Sequence, residues 1–446
     1  MSDIRFNCPQ CEQHLAVDAV AIGTAVTCPN CGLSILVPKM APLAKEDSSV
    51  RVKWWLLSVG VTAAMVVAGL LVWQTHLRPT TQIGSAPAST RNASKPRETA
   101  DSSLSAKAGE ENASSSPPIT VSLGDPLVVP NSTPPCPIYG VLPDGHITVL
   151  PDGDGLEVYW SEYDSYRLTG NSLDALSLSP TKPVLAKGKP GSFDSRGAWL
   201  YSIHRIQRED LLGFYHGEWA EWPGPKTAAS WRTIACCTST NNGVTWMKQG
   251  AVIVSAEPRP AQPTGGGAGD FCVIRDEANQ RWVCFYPHYT MRMAISSDPE
   301  GKQGTWLKYH PEGNDLFTQP GLGGQDAPLP GLERFPGSNP SVHWNTYLQR
   351  WVIVWQTWDY PNPQGLPAPN SICIATSGDL LHWEDAHVLL VAPARQRNWY
   401  PTILGPTDTR SGREAWLYYG FWPDKDKAPR QFLRRRIEFG TKEERP

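Results

Sequence analysis

The sequence predicts an all-β protein whose main domain is a five-bladed β-propeller, with a six-bladed arrangement as the alternative. One polar turn recurs at residues 239–246, 297–306 and 377–383, each time after an apolar run and ending in tryptophan. Such turns close hairpins, and turn-closed β-units repeated at intervals of tens of residues are typical of propellers.

Apolar runs with a period of two fall between turn signals and divide the C-terminal part of the chain into groups of strands. There are five groups, at residues 138–185, 193–254, 270–309, 339–391 and 400–439. No helical apolar pattern interrupts them. We therefore expect residues 119–446 to form one β-propeller domain that is nearly all β.

The composition limits the partners of this chain. Its 446 residues include 40% hydrophobic side chains, enough for the cores of two or three domains. The formal net charge of −3 gives no long-range attraction to nucleic acid, so we expect no nucleic-acid partner. The 19 tryptophans suit either a propeller core or a surface that stacks on sugars. The oligomeric state is left open.

Two Cys-x-x-Cys pairs predict a zinc ribbon at residues 1–40. Cys8 and Cys11 form the first pair, and Cys28 and Cys31 form the second. This spacing can place four thiolates around one structural Zn²⁺, with redox chemistry as the minor alternative. Through its two Cys-Pro-x-Cys motifs, the segment resembles the zinc ribbons at the N-termini of some bacterial membrane proteins.

Residues 54–73 carry no charge and are long enough to cross the hydrocarbon core of a bilayer as one helix. The excess of Lys and Arg before this stretch predicts a cytoplasmic N-terminus and an extracytoplasmic C-terminal domain. A cleaved signal peptide is the alternative, which the preceding ribbon disfavours. Residues 74–118, rich in Ser, Ala and Pro, are expected to form a disordered linker. The predicted protein is thus a single-pass membrane protein, with the lipid bilayer as one partner.

The meander order of a propeller blade predicts where its polar residues gather. The first strand begins, and the second strand ends, at the same end of the propeller, which we call the mouth. The mouth residues are Asp194, Asp270, Asn339 and Tyr400 at the first-strand starts, and His216, Glu218, Trp219, His288, Tyr289, Trp358, Asp359, Trp422 and Asp424 at the second-strand ends. The hairpins at the opposite end, such as residues 276–279 and 344–347, are expected to be ordinary solvated turns.

The segments Gly-x-Gly-Asp270-Phe and Asn339-Pro-Ser-Val, with the turns that end in Trp, resemble five-bladed glycoside hydrolases of the arabinanase and β-fructosidase type. The turns also resemble the structural Asp boxes of sialidases. The hydrolase resemblance implies a base, an orienting Asp and a general-acid Glu from successive blades. It assigns the base to Asp194 and the orienting role to Asp270. Asn339 stands where the pattern has the acid, so Glu218 or Glu333 is the candidate replacement.

Glycoside cleavage needs one carboxyl kept protonated beside the leaving oxygen and another kept ionised across the sugar ring. We therefore expect a propeller that hydrolyses or binds glycans, or one that has lost its activity, with Asp194, Asp270 and Glu218 as the catalytic group. The remaining mouth residues apart from Asp424 are expected to bind the sugar. No cofactor is expected in the propeller.

Two alternative functions remain. One is a non-catalytic propeller that recognises carbohydrate or protein, or serves as a scaffold. The other is an exo-sialidase-like enzyme, which needs three arginines around a carboxylate and a tyrosine nucleophile. Arg205, Arg292 and Arg334 with Tyr400 are the candidates, although their places in the blades do not correspond.

Cysteines of the predicted propeller lie mostly in apolar strands, where burial as free thiols is the commoner outcome. If the domain is extracytoplasmic, Cys272 and Cys284 are the pair most suited to a disulfide, because they flank one predicted hairpin.

Overall fold

The computed structural model describes residues 3–7, 14–18, 24–29, 34–36, 119–129, 143–178, 182–220, 229–261, 265–359, 368–426 and 430–441. The chain divides into two compact units, Met1–Ala108 and Gly109–Pro446. Cys8, Cys11 and Cys31, the predicted membrane helix at 54–73 and the predicted linker at 74–118 lie outside the described residues. In the ranges given above, no helix is long and apolar enough to cross a membrane.

Two antiparallel hairpins are described in the first unit. They are formed by β1 (Asp3–Asn7) with β2 (His14–Asp18), and by β3 (Ala25–Thr27) with β4 (Ser34–Leu36). Cys28 follows β3 directly and is buried. The four-thiolate zinc site itself stays a prediction.

The described part of the second unit is built from five antiparallel sheets, which we number as blades 1 to 5. Two strands that precede blade 1 belong to the last sheet, and they are β5 (Ile119–Leu123) and β6 (Leu127–Val128). Blade 1 consists of β7 (Thr148–Asp152), β8 (Gly155–Glu162), β9 (Asp164–Gly170) and β10 (Leu176–Leu178). Blade 2 consists of β11 (Gly197–Gln207), β12 (Asp210–Trp219), β13 (Trp231–Ser239) and β14 (Met247–Ile253), with β15 (Gly266–Gly267) beside β13.

The remaining blades follow the same meander. Blade 3 consists of β16 (Cys272–Asp276), β17 (Arg281–His288), β18 (Thr290–Ser296), β19 (Leu307–Glu312) and β20 (Asp315–Pro320). Blade 4 consists of β21 (Gly337–Asn345), β22 (Arg350–Thr357), β23 (Ile372–Ser377) and β24 (Trp383–Leu390). Blade 5 contains β25 (Arg397–Leu404), β27 (Glu414–Trp422) and β28 (Gln431–Thr441), while β26 (Arg410–Ser411) pairs with β21 of blade 4.

Strands from both ends of the second unit complete blade 5. β5 pairs with β28 in antiparallel register from Leu123 opposite Ile437 to Ile119 opposite Thr441. The fourth strand of the last blade is therefore supplied by the first strand of the domain. This pairing closes the ring and covers the edge of β28, which would otherwise have unpaired backbone groups.

Five apolar cores fill the spaces between consecutive blades, including the space between blade 5 and blade 1. In that last core, Tyr418 and Phe432 of blade 5 pack with Val158 and Trp160 of blade 1. Five sheets joined by five inter-sheet cores form a closed ring. The prediction of an all-β, five-bladed propeller is confirmed, and the six-bladed alternative is wrong.

The recurring polar turn connects the third and fourth strands of blades 2, 3 and 4. In blade 4, Asp379 Oδ1 accepts hydrogen bonds from the backbone N–H groups of Leu381 and His382, at 2.9 and 2.8 Å. In blade 3 the indole of Trp306 is buried and donates to the carbonyl of Gly301 at 2.9 Å. These turns are structural caps, as the Asp-box resemblance implies.

The five cysteines described in the propeller, at 236, 237, 272, 284 and 373, are buried free thiols. Cys272 lies opposite Phe285, so Cys284 is offset by one residue and points to the other face of blade 3. Accordingly, Cys272 belongs to the core between blades 3 and 4 and Cys284 to the core between blades 2 and 3. The suggested disulfide between them does not form, and burial as free thiols is confirmed for these residues.

Candidate functional site

The first strand of a blade begins, and its second strand ends, at the mouth. Gly197 of β11 pairs with Glu218 of β12, and Gly337 of β21 pairs with Thr357 of β22. Backbone pairing therefore delivers polar side chains from neighbouring blades to one end of the ring.

Asp270, Asn339 and Tyr400 occupy corresponding positions at the starts of the first strands of blades 3, 4 and 5. All three have left-handed backbone, with φ of 50°, 53° and 58°. Such a conformation costs a non-glycine residue about 1–3 kcal/mol and is concentrated at functional sites. The same backbone bend therefore recurs at the mouth end of three consecutive blades.

His216 lies between two carboxylates at the centre of the candidate site. The backbone N–H of Asp270 donates to His216 Nδ1 at 2.8 Å, so the imidazole proton lies on Nε2, which donates to Glu218 Oε1 at 3.2 Å. Asp270 Oδ1 is 3.5 Å from the same Nδ1. These two distances and the imidazole ring limit the separation of the carboxyl groups to at most about 9 Å, below the upper limit of roughly 9.5 Å for the carboxyl pairs of glycosidases. The structure brings the predicted Glu218, Asp270 and His216 together.

Arginines neutralise both carboxylates. Arg232 Nη1 is 3.1 Å from Asp270 Oδ2, and Arg196 Nε is 3.5 Å from Glu218 Oε2. Burial alone would raise the pKa of Glu218, but the hydrogen bond from His216 and the positive charges of Arg232 and Arg196 lower it to about 2. Glu218 is therefore an ionised hydrogen-bond acceptor at neutral pH.

Asp194 lies on the other face of blade 2. Its carboxylate forms an ion pair with Lys248 of β14 and accepts hydrogen bonds from Ser192 Oγ at 2.7 Å and Tyr215 Oη at 3.5 Å. Successive residues of a strand point to opposite faces, so Tyr215 faces away from His216. The structure does not bring Asp194 to the pair formed by Glu218 and Asp270.

A second acidic centre at the mouth was not found from the sequence. Asp326, in the loop after β20, accepts hydrogen bonds from Tyr286 Oη at 3.1 Å, His288 Nδ1 at 2.9 Å and Arg292 Nε at 3.0 Å. Burial raises the pKa of Asp326, but His288, Lys308 and Arg292 lower it by more. Of these residues, the sequence predicted only His288 at the mouth, because Asp326 follows no strand end that the meander rule covers.

The predicted binding residue Asp359 is fully engaged by basic and amide groups. Its carboxylate pairs with Arg397, accepts from Lys425 Nζ at 3.1 Å and accepts from Asn370 Nδ2 at 2.5 Å. Asp424 is bound in the same way by Arg395, whose Nη2 is 2.9 Å from Asp424 Oδ1. These two carboxylates are structural ion-pair partners in the present geometry.

Blade 5 contributes an aromatic wall, which we define as Trp399, Tyr400 and Trp422. The ring centroids of Trp399 and Trp422 are 5.4 Å apart, and those of Tyr400 and Trp422 are 6.3 Å apart. Arg397 lies 4.5 Å over Trp399, and Arg430 lies 5.3 Å over Trp422. All three residues are partly exposed and lie beside guanidinium groups, which are hydrogen-bond donors.

Three further predicted aromatic residues differ in their exposure. Trp219 is buried beneath Arg259, whose guanidinium is 4.5 Å from the indole ring, so it belongs to the packing of blade 2. Tyr289 is 46% exposed, and its carbonyl accepts from Trp358 Nε1 at 3.0 Å. Tyr289 and Trp358 therefore line the mouth together.

Blade 1 supplies residues that the sequence analysis missed. Asp144 precedes its first strand, and Glu162 ends its second strand, so the meander rule applied to blade 1 would have found both. Asp144 Oδ1 pairs with Arg430 Nη1 at 2.8 Å, and its carbonyl accepts from Tyr201 Oη at 2.9 Å. Burial and the charge of Asp144 raise the pKa of Glu162, with Arg430 opposing them.

The residues of the sialidase alternative do not converge. Arg205 lies at the end of β11 opposite the mouth and donates to Asn242 Oδ1 at 2.7 Å. Arg292 is bound to Asp326, and Arg334 is exposed in the loop before β21. Glu333, the other candidate acid, is exposed and accepts from the backbone N–H of Gly331 at 2.9 Å.

Within the residues that the structure describes, no group of three or more His, Cys, Asp or Glu side chains is arranged to hold a metal ion.

No protein-family model matches the sequence, and no curated protein matches it. Several solved structures are similar in fold. An exo-1,5-α-L-arabinanase from a bovine ruminal metagenomic library is 10% identical with a TM-score of 0.44, covering 66% of this chain and 93% of that one. Zg3597, a family 117 glycoside hydrolase from Zobellia galactanivorans, is 11% identical with a TM-score of 0.43, covering 72% and 90%. An α-L-arabinanase from Cellvibrio cellulosa, complexed with arabinohexaose, is 10% identical with a TM-score of 0.43, covering 66% and 91%.

Proposed function

We propose that the propeller recognises a glycan at its mouth without hydrolysing it. The observation that carries this proposal is that both central carboxylates are held by donors, Glu218 by the His216 hydrogen bond and the Arg196 ion pair, and Asp270 by the Arg232 ion pair. A general acid must be protonated at the working pH, and the pKa of Glu218 is about 2.

The surroundings of this pair favour a carbohydrate ligand. Ionised carboxylates accept hydrogen bonds from sugar hydroxyls, and guanidinium groups donate to them, both at fixed positions. The aromatic wall adds three partly exposed aromatic residues that can pack against the C–H side of a pyranose or furanose ring. Directed polar groups beside an aromatic surface are the usual construction of a small-molecule site.

Binding of the full-length chain to an array of neutral oligosaccharides tests the proposal. We expect a defined set of glycans to be retained, and Trp422→Ala and Glu218→Gln each to weaken their binding at least tenfold. Glu438→Gln is the matched control, because Glu438 is a half-exposed carboxylate paired with Arg413 on the last strand. Equal glycan binding by the wild type and both mouth variants would show that the mouth is not the glycan-binding site.

Glycoside hydrolysis is the second candidate function, and Glu162 is the observation that favours it. The pKa of Glu162 is raised whereas that of Glu218 is lowered, and carboxyls whose pKa values shift in opposite directions are suited to acid and base roles. In this alternative Glu162 donates the proton to the leaving oxygen, and the ionised Asp270 or Glu218 acts from the other side of the ring.

Turnover of aryl glycosides by the full-length chain distinguishes the two candidates. The recognition proposal expects no turnover above that of the triple variant Glu162→Gln, Glu218→Gln, Asp270→Asn. Turnover that is lost in Glu162→Gln and retained in Glu438→Gln would replace recognition by hydrolysis. This result would keep the mouth as the glycan site and change only its chemistry.

We also propose that residues 54–73 anchor the propeller outside the cytoplasmic membrane, with the N-terminal ribbon in the cytoplasm. The uncharged stretch and the basic residues before it support this arrangement. A thiol reagent that does not cross membranes should label a cysteine introduced by Ser103→Cys in intact cells. It should label Ser48→Cys only after lysis. Labelling in the reverse order would overturn the topology.

A further inference from the structure

A cavity of about 560 Å³ lies at the end of the propeller opposite the mouth. Its lining comes from three blades: the end of β11 in blade 2, the hairpin before β17 in blade 3, and, in the sheet of blade 4, the hairpin before β22, the turn at residues 378–380 and β26. The sequence predicted only solvated turns here. A cavity of this volume falls in the range of small-molecule sites, about 300–1,000 Å³.

Two arginines of the cavity have hydrogen-bonding capacity that the protein leaves unused. Arg275 Nη1 is buried and has no partner in the described part of the chain. The same guanidinium is already oriented, because it lies 4.8 Å over the ring of Trp282 and its Nη2 donates to Gln280 Oε1 at 3.3 Å. Arg410 is exposed on β26 and forms no side-chain hydrogen bond or ion pair with any described residue.

The carboxylates of the cavity are already occupied. Asp276 accepts from Arg281 Nε at 2.9 Å and from Asn279 Nδ2 at 2.8 Å. Asp379 Oδ1 accepts hydrogen bonds from the backbone N–H groups of its own turn. Glu277 is largely exposed; it lies 3.8 Å from Arg275 Nε, too far for a strong hydrogen bond, and its Oε2 accepts a hydrogen bond from Gln280 Nε2 at 3.3 Å. The uncompensated groups are therefore donors, which favours an anionic ligand.

Apolar and neutral groups complete the lining. Trp344 and Trp351 contact each other edge to face at 5.2 Å and are each partly exposed to the cavity. His204 Nε2 lies 2.9 Å from the carbonyl of Val273, which fixes its proton on Nε2 and leaves Nδ1 as an acceptor. Indole surface and a neutral acceptor suit a hydroxylated ring.

We infer that this cavity binds a small acidic sugar, with its carboxylate at Arg275 and Arg410 and its ring against Trp344 and Trp351. Guanidinium groups match a carboxylate in geometry and charge, and Arg410 offers such a group on an exposed side chain that has no partner among the described residues. The site is separate from the mouth and does not depend on the function proposed there.

Isothermal titration of the full-length chain with D-galacturonate, D-galactose, acetate and benzoate, at low ionic strength and neutral pH, tests the inference. We expect D-galacturonate to bind at least tenfold more tightly than each of the other three compounds. Absence of D-galacturonate binding at millimolar concentration, or preferential binding of benzoate, would overturn the proposal.

Variants locate the binding. Arg410→Gln changes an exposed side chain without a protein partner, so it should leave folding intact and weaken D-galacturonate at least tenfold; Arg275→Gln should act in the same direction. Arg413→Gln is the matched control, since Arg413 is an exposed arginine of the neighbouring loop paired with Glu438. Unchanged binding in Arg410→Gln, or loss of binding only in the mouth variant Glu218→Gln, would exclude this cavity.

Discussion

The backbone N–H of Asp270 donates a 2.8 Å hydrogen bond to Nδ1 of His216, from blade 3 to blade 2. This contact fixes the imidazole tautomer and thereby directs Nε2–H at Glu218. It also requires glycine at position 269, because a Cβ there would lie 2.7 Å from the His216 ring. A corresponding bond joins the backbone N–H of Tyr400 to Gln356 Oε1 at 2.6 Å, so the same inter-blade device recurs around the mouth.

Glu218 should make the stability of the propeller depend on pH in the acid range. Its pKa is about 2 in the folded protein, below its ordinary value of 4.5, so its ionised form stabilises the fold. This contribution is complete above pH 4.5 and is lost as the pH falls through the folded-state value. We expect Glu218→Gln to lower the free energy of unfolding by about 2 kcal/mol at pH 6, with the difference vanishing near pH 2.

Urea denaturation of the wild type and Glu218→Gln between pH 6 and pH 2 measures this difference. Glu438→Gln serves as the control, because Glu438 is half-exposed and its pair with Arg413 lies in solvent. A destabilisation by Glu218→Gln that stays constant across the whole range would contradict the assignment.

The left-handed backbone at Asn339 should be visible as a preference for glycine. Asn339→Gly and Asn339→Ala both remove the amide that donates to Ser338 Oγ at 3.2 Å, so comparing them isolates the backbone. At a φ of 53°, the Cβ of alanine is sterically unfavourable, whereas glycine has no Cβ and adopts this conformation without strain. We expect the glycine variant to be more stable by about 1 kcal/mol in equilibrium denaturation. Equal stabilities would show that the position is not strained.

Asp194 should be a structural residue of blade 2. It is 3% exposed and paired with Lys248, so Asp194→Asn leaves an amine without its counter-ion and should cost about 2 kcal/mol or more of unfolding free energy. Glycan binding at the mouth should not change. A double-mutant cycle with Lys248→Met should recover part of the lost stability. If Asp194→Asn instead lost glycan binding at unchanged stability, Asp194 would belong to the glycan-binding site at the mouth.

Much of the fold could be predicted from the sequence because propeller blades repeat their local signals. The turns ending at Trp246, Trp306 and Trp383 and the period-two apolar runs are local, and each identifies a strand pair regardless of the rest of the chain. The pairing of Ile119 with Thr441 joins the two ends of the domain, and no local pattern encodes it.

The candidate site was predictable in its location and less so in its composition. The meander rule brought Glu218, His216 and Asp270 to one place, because strand direction decides which end a residue reaches. The meander rule does not predict to which face of the sheet a side chain points. Asp194 lies on the opposite face of blade 2 and is therefore separated from this group. Asp326 lies in a loop, and its position depends on bonds to Tyr286 and Arg292 from distant strands. Tertiary contacts of this kind leave no periodic signal in a sequence.

The predicted zinc ribbon remains to be tested by metal content. Four thiolates at the spacing of Cys8, Cys11, Cys28 and Cys31 should bind one Zn²⁺ per chain in the purified full-length protein, measured by mass spectrometry of the metal. Cys28→Ser removes one of four ligands and should abolish stoichiometric zinc. Cys236→Ser is the matched control, because this buried thiol lies in blade 2 of the propeller.

Chelation should make the N-terminal unit sensitive to protease while the propeller stays resistant, because metal binding supplies much of the folding free energy of such a small unit. A chain that contains no zinc, or one in which Cys28→Ser retains it, would contradict the ribbon.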